Sequence, residues 1–473
     1  NNTISRNRIV LDSAQTSTTL YNGIIVSGTT ASPTASGHGC DSNSIVYNTV
    51  LGGYYSVSIA GVSSQLSFGN RILNNKLWHQ YAYGVYLNNT IGAIVEGNDI
   101  TRGNRAVSST TYYGIYTTSG IQELRINANR IYNPFGGALT STSTFYGIYM
   151  TGSDGASASL PNIISNNLIH NVNGNGAHYG IYTTSSDFSN YYHNTVVLND
   201  TVSTATGASY AFYYSTGANG VNVSNNIFSV SRAGTGAEYG FYVSSTTATF
   251  TGNRNVYFIG NNQGTINAVG YFNSAARTTL LDWRTATGQD ANSWQTNPLF
   301  VNVSTDNYLP QSVDIDNRAI TGLIATDFTG TSRSNTPDPG AFEFTAPGCT
   351  TPPTPGIATA SSIDVCSGTA ITLNLNGNSF GVGQTYTWQS ADTQNGTYAD
   401  ISTATSDSTS LVLSVTASKW YRSAVNCNGN IVFSNPVFVN VNQPLAAGTY
   451  TINSTLPTGG NNFTSIADAN RAF

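Results

Sequence analysis

Lysine is nearly missing from this chain of 473 residues: only Lys76 and Lys419 occur, and charged side chains of either sign make up 8% of the whole. With 17 basic residues scattered along the chain and a formal charge of −5, no basic stripe exists to neutralise a phosphate backbone, so nucleic-acid binding is not expected. Two lysines also nearly exclude Lys–Asn isopeptide staples. No run of 18 apolar residues occurs, which removes a membrane-spanning helix. The start, NNTISRNRIV, lacks a basic stretch followed by an apolar one, so it does not read as a signal peptide. It already lies inside a repeat pattern, and the chain is expected to be a piece of something longer. Disorder is excluded too, because 29 tyrosines and 19 phenylalanines accompany the low charge. A surface wetted by Thr, Ser and Asn rather than by Lys and Glu fits an extracellular β-rich protein.

What is present is repetition. A Tyr-Gly-apolar-Tyr phrase recurs as AYGVY, TYYGIY, FYGIY, HYGIY, SYAFY and EYGFY, with its small residue at Gly84, Gly114, Gly147, Gly180, Ala211 and Gly240. These steps of 29 to 33 residues define one structural unit per repeat. An Asn two residues before an apolar side chain follows each phrase, giving a column Asn70, Asn98, Asn129, Asn167, Asn194, Asn226 and Asn253, with earlier copies at Asn7 and Asn48. Apolar residues around the Asn alternate with the period of two proper to strands, and the Asn breaks that alternation. Asn tolerates the left-handed turn conformation. The expected fold is a right-handed parallel β-helix in which the Asn side chains bond along the stack. Helical repeats fail on the Gly-rich, β-branched composition, and a propeller blade would need a longer repeat.

Strict alternation would place Val85, Ile115, Ile148, Ile181, Phe212 and Phe241 inward together with the first Tyr of each phrase. The second Tyr would then point outward, aligning Tyr86, Tyr116, Tyr149, Tyr182, Tyr213 and Tyr242 into an external ladder. Such a ladder could bind sugar faces, or it could only stabilise neighbouring coils.

Beyond residue 296 the repeat breaks. NPLFVNVSTDNYLP, DIDNRAITGL and PDPGAFEF suggest a cap in which Asp-rich turns, Arg318 and Arg333 pair over the open end of the stack. The NPLFV and PDPGAFEF strings resemble the closing region of β-helix modules in secreted proteins of the Bacteroidota, and the coils resemble the generic parallel β-helix repeat family. A Pro- and Gly-rich linker, 346–356, separates residues 1–345 from short strands at 357–442 that read as a β-sandwich. There Cys366, Trp388 and Cys427 follow one another, and WYRSAVNC resembles bacterial immunoglobulin-like modules, which makes Cys366–Cys427 a disulfide candidate. Cys366 precedes the first clear strand, Cys349 competes as a partner, and Cys40 has no evident mate. Residues 443–473 resemble the opening of a further β-helix module.

Because β-helices often host polysaccharide lyases and hydrolases, catalytic constellations matter. Gly37-His38-Gly39 resembles a polygalacturonase string, but the companion acids and Arg-Ile-Lys of those enzymes are missing. The acids of the coils share no recurring offset, the histidines 38, 79, 170, 178 and 193 show no metal-ligand spacing, and His178 reads as a surface residue. No metal, cofactor or catalytic residue is expected. Asp-Ser/Thr-apolar-or-Thr strings at Ser13, Thr201 and Ser408 resemble the O-glycosylation motif of the same phylum. The reading is an all-β, non-enzymatic structural or adhesive section of a large surface protein or filament, exported as type IX secretion substrates are. Its partners would be neighbouring modules and possible surface glycans. The alternative is a carbohydrate-binding or polysaccharide-degrading β-helix protein.

Overall fold

The computed structural model describes residues 2–107, 111–204, 206–260, 263–401, 409–442 and 448–472. It divides into two compact units, Asn1–Thr345 and Ala346–Phe473. In the first, each coil gives one short strand to each of three parallel sheets. Sheet 1 holds nine strands, from Thr3–Ser5 to Phe250–Asn253; sheet 2 holds ten, from Arg8–Val10 to Trp294–Gln295; sheet 3 holds ten, from Ile24–Val26 to Ala275–Arg277. Pairing between coils is parallel until the last hairpin, Asn267–Phe272 against Ala275–Arg277. The chain is thus the expected parallel β-helix. Register stacks like on like: Ile45, Ile72, Val95, Ile126 and Ile164 form one inner column of sheet 1, all buried. β-Branched side chains suit this pleated, close-packed interior.

The turn from sheet 1 to sheet 2 carries the asparagine ladder. Its members are Asn7, Asn48, Asn75, Asn98, Asn129, Asn167, Asn194, Asn226 and Asn255. From Asn48 onward each Oδ1 accepts both the backbone N–H and the side-chain Nδ2 of the preceding coil's Asn, as Asn129 Oδ1 does from Asn98 at 3.1 and 2.9 Å. Two expected members are corrected. Asn70 belongs to a shorter ladder ahead of sheet 1, where it accepts from Asn43, and Asn253 ends a strand two residues before the true member, Asn255. The left-handed conformation is also displaced: it falls on the residue before each ladder Asn, including Tyr47, Ala128, His193 and Arg254 with φ between 51° and 58°. The ladder residue's role is therefore that of its amide, which satisfies buried backbone groups of two coils at once.

One device finishes the stack. A short helix, α1 (Leu280–Thr287), begins with a capping box between Thr279 and Asp282 and ends at Gly288 in the left-handed conformation. Its Trp283 is fully buried against Phe241 and Phe250, and Gly270 makes room, since a Cβ there would lie 2.2 Å from the indole. Trp283 Nε1 donates to Asp290 Oδ2 (2.7 Å), and Asp290 Oδ1 accepts from Asn255 Nδ2 (2.9 Å), so the helix and the ladder end on one buried carboxylate.

The segment 297–344 is not the end cap that its composition suggested. It runs along the flank, anchored on turn residues of three successive coils: Asn166 Nδ2 donates to Thr326 O, His193 Nδ1 lies 3.0 Å from Asp338 O, and Gly340 N donates to Asn225 O. Leu168 and Val197 on the outer face of sheet 2 pack with Tyr308, Phe300, Phe328 and Phe342 of this brace. An apolar outer face needed covering, and that decided where the segment lies. Arg333 pairs with Glu343 (3.3 Å) and donates to Asn166 Oδ1, while Arg318 serves through its carbonyl, which accepts from Arg254.

In the second unit a three-stranded antiparallel sheet and a larger sheet share one core, with Leu373, Tyr386, Trp388, Tyr421 and Val425 buried in it. The disulfide joins Cys349 to Cys427, not Cys366 to Cys427. Cys349 N donates to Val382 O, which seats the start of the linker beside Cys427. Cys366 lies within an edge strand, Asp364–Cys366, and is free and exposed; Cys40 is free and buried. Residues 450–472 form a parallel strand pair and a helix.

Candidate functional site

Sheet 3 presents the tyrosines, and it corrects their expected directions. Along Thr111–Thr118 the order from Tyr112 is in, out, in, in, out: Gly114 and Ile115 are both buried, so Tyr113 and Tyr116 share the outer face. Register pairs Tyr83 with Tyr113 and Val85 with Ile115, skipping the glycine. The strand bends at that point because the carbonyl of the next coil points at it; a Cβ on Gly114 would lie 2.5 Å from Gly147 O. Gly84 and Gly147 meet the same carbonyl contact. The first Tyr of each phrase is therefore an outer residue, and there are two ladders instead of one.

The first ladder is Tyr55, Tyr83, Tyr113, Tyr146, Tyr179, Tyr210 and Tyr239, with centroids 4.5 to 5.4 Å apart and planes within 10°. The second runs through the expected candidates Tyr86, Tyr116, Tyr149, Tyr182, Tyr213 and Tyr242 and on to Tyr271, at 4.3 to 5.6 Å. Rings of the two ladders also touch, as Tyr146 and Tyr149 do at 4.9 Å. Stacking on a sugar needs a free ring face. Within the ladders neighbouring rings occupy those faces, and edges and hydroxyls are what remains. Burial, followed by neighbouring phenols, pushes Tyr113 and Tyr179 up to about 12, so neither supplies a phenolate base at neutral pH.

The nearest approach to an acid–base constellation lies on the outer face of sheet 2. Register aligns Lys76, Asp99 and Arg130 in adjacent coils, and the brace delivers Asp306. Arg130 Nε donates to His170 Nε2 (2.9 Å), Arg130 Nη2 is 3.6 Å from Asp306, and His170 Nδ1 is 3.7 Å from the same carboxylate. His170 is stacked between Tyr132 and Tyr308, fully buried, and held well below the usual imidazole range by desolvation and then by Arg130. Burial also raises the Asp99 carboxyl. A general acid or base must reach its substrate. Here the imidazole is sealed and Asp306 is paired with Arg130, so the cluster fastens the brace to the coils.

His178, expected at the surface, is completely buried beside Phe145, and desolvation holds it neutral. Ser209 and Glu238 occupy the same inner register position in the following coils. His38 is exposed in its loop. Among the described residues no three His, Cys, Asp or Glu side chains gather as a metal site. Ser13 and Thr201 are exposed; Ser408 lies outside the described residues.

A third surface was not read from the sequence. On the outer face of sheet 1 an open groove of about 390 Å³ is lined by Phe188, Asn190, Tyr192, Asn222, Phe250 and Thr251, among others. Among the described residues that line it, none carries a side chain that ionises near neutral pH, and burial raises the phenol of Tyr192. These residues come from three coils, each contributing through its place in the register, and no local motif marks them.

A family model described as a domain of unknown function (DUF8696) matches residues 354–443, the sandwich. No curated protein matches the chain. Among solved structures the chain is similar to the periplasmic alginate epimerase AlgG, at 12% identity and a TM-score of 0.32, over 52% of this chain and 48% of that one. The match spans about half of that structure, and at this identity it concerns the fold alone. By its own sheet topology the first unit is a parallel β-helix; among the described residues no helix is long and apolar enough to cross a membrane.

Proposed function

We propose that this chain is a scaffold and recognition section of a large secreted or cell-surface protein, that it holds to carbohydrate, and that it performs no chemistry of its own. One observation carries the reading. The outer faces offer phenol edges, hydroxyls and amides in quantity, while the best-placed charged cluster, Asp99–Arg130–His170–Asp306, is closed on itself. Coils that bury their apolar columns against one another suit a stiff, protease-resistant support. Neighbouring modules of the same protein or filament are its structural partners. Export by type IX secretion in a bacterium of the Bacteroidota is proposed on the NPLFV and PDPGAFEF strings; loss of the protein from intact cells lacking that machinery is the expected result.

The second reading is a polysaccharide-degrading enzyme, and the convergence of Asp99, Arg130 and Asp306 is what favours it. Incubation with soluble polysaccharides, followed by reducing-end release and by absorbance of unsaturated products, separates the two. We expect neither signal. Turnover that scales with protein and disappears in Asp99→Asn would overturn the non-catalytic reading.

A further inference from the structure

Phe188 occupies a turn position that its side chain makes costly. Its φ is +50°, the left-handed conformation that this turn also takes at Ser42, Gly69, Gly92, Glu123 and Gly220, here carried by a bulky side chain. Register places Ser42, Gly69, Gly92, Glu123, Pro161, Gly220 and Thr249 at the same turn in other coils, so Phe188 is its only aromatic. Gly220 of the next coil, itself left-handed at φ +65°, leaves room for the ring: a Cβ there would lie 2.7 Å from Phe188 Cδ1. The ring is half-buried, stacks on no other aromatic among the described residues, and lies outside the hydrophobic core. It forms a wall of the 390 Å³ groove on sheet 1. An aromatic ring left without an aromatic partner at the wall of a groove is a mark of a binding position rather than of packing.

The rest of the groove states what would bind. Asn190 is half-buried, and its amide makes no hydrogen bond among the described residues. The Asn222 amide is aimed by Tyr192 OH (2.9 Å) and Ser224 Oγ (2.9 Å). Among the described residues no Lys, Arg or His lines the groove to balance a carboxylate or sulfate. A free aromatic ring beside a free amide, in a groove of ligand-pocket size and without charge, fits a sugar ring. We propose that Phe188 and Asn190 form the binding subsite for an uncharged polysaccharide, with a pyranose face on the Phe188 ring and its hydroxyls on the Asn190 amide. This rests on the carbohydrate-recognition reading above and names the site and the ligand class.

The test uses the full chain in affinity electrophoresis through gels containing β-glucan, xylan or mannan, with a polyuronate gel for comparison. Phe188→Gly relieves the backbone conformation, so it should melt no lower than the parent while binding at least tenfold more weakly. Asn190→Ala should weaken binding in the same gels, and retention should not change between pH 5 and 9. Retention by a neutral polysaccharide that persists unchanged in both variants would overturn the subsite and leave the carbohydrate reading standing. A parent protein retained by none of the gels, the polyuronate included, overturns both. Retention by the polyuronate alone overturns the assignment to an uncharged ligand.

Discussion

Replacing Asn255 by Ala, beside the same change at Asn253, tests the asparagine ladder where sequence and structure part. Asn255 is fully buried and its side chain makes four hydrogen bonds: two accepted from Asn226, and two donated, to Val223 O (2.8 Å) and Asp290 Oδ1 (2.9 Å). Alanine would strand the Asn226 N–H and the Val223 carbonyl in the interior, while the Asn226 amide keeps Tyr191 O and Ser224 O as acceptors. Each buried unsatisfied group costs about 1–3 kcal/mol, and partial relaxation brings the sum to about 4 kcal/mol. Asn253 accepts only from turn groups, the half-buried Arg254 N and the exposed Asn292 N, at the edge of solvent, so its loss should cost about 1 kcal/mol. For a unit of 345 residues unfolding with about 2 cal/mol/K of entropy per residue, 4 kcal/mol lowers the melting temperature by roughly 5–6 °C. Calorimetry of the two variants gives the comparison, and hydrogen exchange at Asn226 should accelerate only in Asn255→Ala. Equal melting shifts for the two variants would refute the argument, because it assigns the energy to the ladder amide and not to the turn.

Gly114→Ala should cost about 1–3 kcal/mol and perturb tyrosine fluorescence, since its Cβ would meet Gly147 O at 2.5 Å; Tyr116→Ser, by contrast, should leave the fold intact. Native alkylation should modify Cys366 and spare Cys40, and Cys349→Ser should destabilise the second unit by up to about 4–5 kcal/mol on loop-closure grounds for a 78-residue separation, with Cys366→Ser neutral. Burial lifts Asp338 to about 7, against an unfolded value near 3.8. The folded state therefore holds a proton that the unfolded state gives up, and this contribution is complete below about pH 4 and lost as pH rises through 7. Proteolysis of 297–344 should accelerate over that interval, and Asp338→Asn should flatten the dependence.

How much was legible follows from which interactions are periodic. The phrase around Gly114 and the Asn at 98, 129, 167, 194 and 226 recur because every coil meets the same neighbours, and a recurring environment leaves a recurring residue. Slips came where a local rule met a contact from another coil. Alternation assigned Tyr113 to the core, but the next coil's carbonyl forces a bend at Gly114 and turns the ring outward. Asn253 carries a motif-like spacing, yet the register of sheet 1 puts Asn255 under Asn226. His178 lies next to a repeat phrase and looked exposed; its inner register position, behind Phe145, buries it.

Sequence alone determined the all-β class, the coil as repeating unit, most of the ladder and the change of architecture near residue 346, because these depend on composition and spacing within one coil. Tertiary structure decided the flank position of the brace, the Cys349–Cys427 bond, the double tyrosine ladder and the groove at Phe188. Each of these depends on which coil or strand lies against which. Phe188 and Gly220 are 32 residues apart in the chain, and only the parallel register makes the strain of one and the missing Cβ of the other into a single feature.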